Sequence, residues 1–222
     1  MENAGIDLFE AMSTLRSVRR LRQDPVPDEL LRKVLTAATW APNGGNRQGW
    51  RFIVVRDPAT KKGLRDLYLP PWTAYENAHR PAIAKLPDGE RQRWNRMYDT
   101  ARHLAEHYHE APVIVVVCVH LPDLAITDAK LSRPSIVGGG SIYPAVQNLL
   151  LACRAFGLGA TLTTLLCMEE PKVRSLLAIP DDWVTAAYVP IGYPEGRGFG
   201  PLARKPVDAV TFLDRWDRPL FG

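Results

Sequence analysis

Apolar positions recur at helical spacing in some stretches of the chain and run together in others, and the two patterns predict different elements. From Asp7 to Leu15, Leu8, Ala11, Met12 and Leu15 share one helical face, and the pattern stops where a run of arginines begins. Between Pro25 and Ala41, the spacing of Leu30, Leu31, Val34, Leu35 and Ala38 predicts a second helix. Pro27 suits its first position, and Asp28 and Glu29 complement its dipole. The residues from Ala41 to Asn46 then break into a loop. Phe52 to Val55 and Pro112 to Val119 are short β-branched runs of the kind covered on both faces, so both are expected as central strands.

Between those strands, Asp57 to about Leu69 reads as helix, Pro70-Pro71 is expected to end it, and Asp88 to Tyr108 reads as a second, charge-rich helix. Residues from about 69 to 110 therefore form an excursion. Ser141 to Phe156 is apolar almost all round, with only Gln147, Asn148 and Arg154 strongly polar, which predicts either a core helix or a subunit interface. Gly157 suits the position after a helix end, Ala160 to Thr164 reads as a strand, Glu169 to Ala178 as a helix and Trp183 to Ile191 as a strand. Strands interleaved with helices give an α/β or α+β sandwich. No internal repeat or low-complexity linker divides the chain, so residues 1–222 are expected to form one domain.

With 46% hydrophobic and 23% charged residues, the composition is that of a globular protein rather than a disordered or fibrous one. No window approaches the roughly 18 consecutive apolar residues of a membrane span, and Met1 to Gly5 lacks a basic segment ahead of an apolar one. A soluble, unexported protein with no membrane association is expected. Cys118, Cys153 and Cys167 are odd in number, lie in apolar stretches and match no zinc or redox spacing, which reads as core thiols in a reducing cytoplasm. The net charge of +4 is spread among nearby acids, as in Arg56-Asp57 and Arg65-Asp66, and this argues against a nucleic-acid surface.

Arg16-Ser17-Val18-Arg19-Arg20-Leu21-Arg22 departs from that spread, with four cations and no acid. It is either a solvated basic turn or a phosphate clamp, since guanidinium forks match phosphate oxygens and a hydroxyl or backbone amide completes the shell. Asn43 to Gln48 combines amide side chains with glycines that let a flat heterocycle approach the backbone, although turn chemistry alone also explains Asn-Gly-Gly. Gly138-Gly139-Gly140 lacks the Lys-Ser/Thr of a phosphate loop, and Gly157-Leu158-Gly159 has Leu162 where a dinucleotide fingerprint needs its third glycine. His103-Leu104-Ala105-Glu106-His107 has the spacing of the inverted zinc-protease motif, but its helix looks like a solvated face and no third ligand is identifiable. Pro201 to Val207 carries two adjacent cations, Arg204 and Lys205, and reads on its own as a surface loop.

In order and spacing, five segments resemble the FMN-dependent nitroreductase family. They are Arg16-Ser17-Val18-Arg19, Pro25-Val26-Pro27, Ala41 to Phe52, Gly157-Leu158-Gly159 with Thr163-Thr164, and Gly192-Tyr193-Pro194 with Arg204-Lys205-Pro206. The resemblance covers nearly the whole chain. It implies an α+β fold with a mostly antiparallel central sheet flanked by helices, and a helical lid at the excursion. It also implies that Arg16, Ser17 and Arg19 hold the FMN phosphate with Arg204, and that Lys205 helps. Asn43, Asn46 and Gln48 would reach the flavin from the partner subunit of a homodimer, and Thr163 and Thr164 would face the flavin N5 and O4 edge. Leu15 stands where many members have Arg, Asn43 where Ser is usual, Gly49 where Pro is usual and Leu21 where Phe is common.

The activity so implied is ping-pong reduction of FMN by NADH or NADPH, then of an electron-poor acceptor such as a nitroaromatic, a quinone or an activated alkene. Trp72, Tyr75, Trp94 and Tyr98 in the excursion are aromatic groups able to stack above a flavin and select the substrate. Reductive dehalogenation of a halogenated phenol, or FMN binding and storage without turnover, are the alternatives.

Overall fold

The computed structural model describes residues 5–221, so residues 1–4, part of the stretch on which the expected lack of an export signal rests, lie outside it. Asp7 caps helix α1 (Leu8–Thr14), its carboxylate accepting from the backbone amides of Phe9 and Glu10. Of the predicted apolar face only Ala11 is buried, while Leu8 and Met12 are left exposed. Helix α2 (Asp28–Thr39) buries Leu31, Val34 and Ala38 as the spacing predicts. Pro27 caps it from just outside rather than serving as its first residue.

Strand β1 (Trp50–Val55) leads into helix α3 (Pro58–Ala84) and helix α4 (Asp88–Glu106), and strand β2 (Val113–His120) returns antiparallel to β1. Helix α5 (Tyr143–Ala155), strand β3 (Gly159–Ala160), helix α6 (Glu170–Leu177) and strand β4 (Trp183–Gly192) complete the regular elements. The sheet order is β1-β2-β4-β3, with every neighbouring pair antiparallel, so the fold is α+β. Along β2, Val113, Val115, Val117 and Val119 face the layer of α2 and α5, whereas Ile114, Val116 and Cys118 face the layer of α3, α4 and α6. Both faces are covered, which explains an uninterrupted apolar run in an antiparallel strand.

Three expectations need correction. β1 is an edge strand, not a central one: it pairs only with β2, and its β-branched run records burial of its faces, not the number of its neighbours. α3 runs on through Pro70, Pro71 and Pro81. An interior proline removes a helical hydrogen bond and costs about 3 kcal/mol or more, but here Tyr68, Pro71 and Trp72 are all buried, so packing outweighs local propensity. The strand expected over Ala160 to Thr164 shrinks to Gly159–Ala160, followed by an isolated bridge from Thr163 to Tyr188.

Of the four aromatic residues expected to stack above a ligand, two are core residues. Trp72 and Tyr98 are 5% and 2% exposed, with ring centres 5.9 Å apart, so neither presents a free face, while Tyr75 and Trp94 reach the surface. α3 and α4 are also tied by Glu76, whose buried carboxylate accepts from Arg80 and Arg102. The Arg102 hydrogen bonds, with Arg80 beside them, hold that carboxyl below the ordinary carboxylate range despite its burial.

At the end of β2, His120 contacts Asp123 at 2.8 Å through Nδ1 and Asp182 at 3.0 Å through Nε2, joining the connections that follow β2 and precede β4. Asp123 and then Asp182 raise its pKa above the ordinary imidazole value. The protonated ring is therefore favoured in the folded chain, and its contribution is complete below about pH 6.5 and is lost as pH rises through the raised folded value. His120→Gln should remove that component from the pH profile of urea stability. An unchanged profile would show that the pair of carboxylates does not act on this ring.

Candidate functional site

The arginine run lies against the free edge of β3. Val18 N donates to Ala160 O at 3.0 Å, and Ser17 forms a parallel bridge with Ala160. Glycine is needed at 159 for this approach, because a Cβ there would sit 2.7 Å from Val18 Cγ1. The bridge anchors Ser17 and Val18 to the sheet and leaves Arg16 and Arg20 exposed and Arg19 half-buried.

There the structure brings together Arg16, Ser17, Arg19 and Arg204, from opposite ends of the sequence, around a cavity of about 490 Å³. Gln147 and Leu150 of α5 and the buried Thr161 complete its wall, and no carboxylate lines it. Among the described residues neither Arg16 nor Arg19 has an ion-pair partner. Burial lowers the Arg19 pKa, with Tyr68 opposing the shift. Arg204 donates only to the backbone oxygen of Ala203, at 2.9 Å. Lys205 is exposed and is not part of the cavity wall. Arg22 points elsewhere, paired with Asp24 at 3.3 Å and lying over the Tyr193 ring.

A second cavity of about 680 Å³ adjoins the first, sharing Arg16, Ser17 and Arg19 and bounded on its far side by Arg93, Arg96 and Thr100 of α4. The sequence showed α4 only as a charged face. Its helical register could have grouped Arg93, Arg96 and Thr100, but nothing in it says which segment they confront.

Thr163 and Thr164 follow β3, whose Ala160 borders the first cavity, and line neither cavity. Thr163 exchanges backbone hydrogen bonds with Tyr188, at 3.0 and 2.9 Å, and its hydroxyl lies 3.1 Å from the Tyr68 hydroxyl. Tyr68 in turn stacks on Tyr108 with ring centres 4.7 Å apart. Burial pushes the Tyr68 phenol up, while the Thr163 hydrogen bond and the Arg19 guanidinium pull it down. Thr164 is exposed and its carbonyl accepts from Cys167 N. Tyr68, Gln147 and Thr161 were not singled out as site residues from the sequence, and only Gln147 gave a signal, as a rare polar position on an apolar helix.

Asn43, Asn46 and Gln48 lie in the connection between α2 and β1 and do not reach the arginine-lined cavities. Asn43 Oδ1 accepts from Gln48 N at 2.8 Å, and Ser141 Oγ accepts from Gly44 N at 3.0 Å. Asn46 and Gln48 both adopt left-handed backbone with φ of 52° and are exposed. The loop is thus held both from within and from the segments at Pro122 and Ser141, and the Gln48 amide donates back to Asn46 O at 3.5 Å. His103 and His107 stack with ring centres 4.4 Å apart, and His107 Nδ1 contacts Glu110 at 2.8 Å. Among the described residues no group of three or more His, Cys, Asp or Glu is arranged to hold a metal ion, and no helix is long and apolar enough to cross a membrane.

The model of the nitroreductase family matches residues 13–193, and the chain belongs to that family. It is 34% identical over 214 residues to an NADH dehydrogenase of Thermus thermophilus, covering 93% of this chain and 95% of the relative. A 5,6-dimethylbenzimidazole synthase of Rhodospirillum rubrum is 30% identical over 180 residues, 81% of this chain and 78% of that protein. Among solved structures, oxidized iodotyrosine deiodinase bound to FMN and 3-iodo-L-tyrosine superposes with a TM-score of 0.63 at 24% identity, covering 95% of this chain and 99% of that one, which establishes likeness of fold.

Thr163→Val should destabilise the chain by about 1–3 kcal/mol, because it strips the partner from a hydroxyl on Tyr68, a residue only 3% exposed. Adding Tyr68→Phe should recover part of that loss. Urea unfolding of the three variants checks the pair, and a neutral Thr163→Val would show that the hydroxyl finds another partner.

Proposed function

We propose that the protein is an FMN-dependent oxidoreductase that takes electrons from NADH or NADPH and passes them to an electron-poor acceptor, a nitroaromatic, quinone or activated alkene, in ping-pong order. The observation that carries this reading is the convergence of Arg16, Ser17, Arg19 and Arg204 on one cavity that no carboxylate lines. A cavity so lined fits a terminal phosphate, and no dinucleotide fingerprint accompanies it, which favours FMN over FAD. FMN, when bound, supplies the two-electron chemistry that couples a nicotinamide to the acceptor.

The protein's share is placement. Arg16, Ser17, Arg19 and Arg204 would hold the phosphate, with Lys205 as an outer cation. The Thr163-Thr164 segment would face the N5 and O4 edge of the ring, braced from behind by Tyr68. Asn43, Asn46 and Gln48 would come from the second subunit, in keeping with their absence from the walls of their own chain's arginine-lined cavities. A homodimer is supported by the uncovered face of α1, where Leu8 and Phe9 are 60% and 75% exposed and Met12 borders the cavity. The chain as one domain, its cytoplasmic location, and acceptor selection by the 69–110 excursion all belong to this reading.

Charge-assisted hydrogen bonds contribute about 1.5–3 kcal/mol each, so Arg16→Ala or Arg204→Ala should weaken FMN binding by about 10- to 150-fold and Lys205→Ala by less. Flavin retention on dilution reads the affinity, and mass spectrometry of the released chromophore identifies it. FAD as the main species, or full affinity in both arginine variants, would overturn the assignment. Light scattering should find a dimer that loses flavin as it dissociates, and a monomer with full flavin occupancy would remove the shared site. Initial-rate lines with a nitroaromatic should be parallel. Converging lines would contradict ping-pong order.

A further inference from the structure

The two adjoining cavities hold more positive charge than one phosphate can answer. Arg16, Arg19, Arg20, Arg93, Arg96 and Arg204 line them, and Glu195 is the one carboxylate in either wall. Among the described residues Arg20, Arg93 and Arg96 have no ion-pair partner, although α4, which carries Arg93 and Arg96, and the neighbouring α3 hold pairs such as Arg91 with Asp88 and Arg80 with Glu76. Six guanidinium groups facing one carboxylate and one phosphate dianion leave a cationic excess, and it lies on the α4 side. Unpaired like charges held together raise each other's energy unless an anion joins them. Their setting is a concave space of about 680 Å³, large enough for an aromatic acid, with Met97 as an apolar floor and Thr100, whose hydroxyl donates to Met97 O at 2.8 Å, on its wall.

We propose that this second cavity is an anion subsite for the acceptor, so that the preferred acceptors carry an acidic group such as a carboxylate, sulfonate or phosphate. Arg93 and Arg96 grip that group. The proposal rests on the oxidoreductase reading above for what happens to the bound molecule, but not for the binding itself. Arg16 and Arg19 stand between the two cavities and serve the phosphate side. Arg93 and Arg96 come from a different helix and border only the second space, which makes them the residues that discriminate between acceptors. Their exposure keeps the grip moderate, because solvent screens an open charge pair.

The test compares para-nitrobenzoate with para-nitrobenzamide, which share a nitro ring and a similar shape and differ in charge. Isothermal titration of the protein as purified should show the acid binding about 10-fold or more tighter than the amide. In Arg93→Ala/Arg96→Ala the ratio should fall to about one, while flavin absorbance per chain stays at the wild-type level. Arg93→Lys/Arg96→Lys should keep part of the preference. A wild-type ratio near one, or a ratio that survives the double alanine variant, overturns the proposal. Loss of flavin in that variant also overturns it, since the arginines would then belong to the cofactor. So does a selective rise in KM for NADH or NADPH with the acid-to-amide ratio intact, because the anion held would be the dinucleotide's phosphate. A protein that carries no flavin yet shows the ratio and its loss would defeat the oxidoreductase reading and leave the subsite standing.

Discussion

Seven consecutive residues of β2, from Val113 to Val119, are buried with both faces of the strand covered, and the rest of the structure is arranged to keep them so. Each buried apolar side chain contributes about 1.5–3 kcal/mol, a gain available only if helices cover the sheet on both sides. α2 and α5 form one layer, and α3, α4 and α6 form the other. With β2 and β4 in the centre, the sheet has two edges to settle. β1 closes one; at the other, the two-residue β3 pairs with β4 on one side and meets the arginine run through Ala160 on its free side. The candidate site lies at that edge because unpaired strand groups there can anchor an incoming backbone.

Anchoring by backbone separates position from chemistry. Val18 is buried and its amide holds the segment to Ala160, while Arg16, Ser17 and Arg20 on either side stay exposed and Arg19 is drawn part of the way inward. The tail brings Arg204 to the same cavity from the far end of the chain, and α4 brings further cations to its flank. Cations gathered from three distant segments with few acids among them are costly for a fold to assemble. An anionic ligand would offset that cost.

Elements whose burial is one-sided and periodic were legible in the sequence. α2 and α4 have nearly the predicted boundaries, and the all-round apolar pattern of α5 reflects a core face on the sheet and α2 with a second face partly turned to the cavity. β1 was legible as a strand but not as an edge, since neighbour number leaves no local trace. The passage of α3 through three prolines was hidden for a related reason, because the packing of Tyr68 and Trp72 that outweighs them is non-local. At the site, Arg16, Ser17, Arg19 and Arg204 could be named because a family resemblance joined segments that spacing alone leaves unrelated. Arg93 and Arg96 could not, because a charged helical face looks the same in sequence whether it meets water or a cavity.

The account stands on the claim that the arginine-lined cavities serve a bound flavin that turns over. Anaerobic addition of NADH, and separately of NADPH, to the purified protein, followed by a nitroaromatic, tests it most directly. The account predicts a visible flavin band that bleaches with at least one nicotinamide and returns when the acceptor is added after the nicotinamide has been removed. A protein with no such band, or a flavin that stays oxidised with both donors, would contradict it.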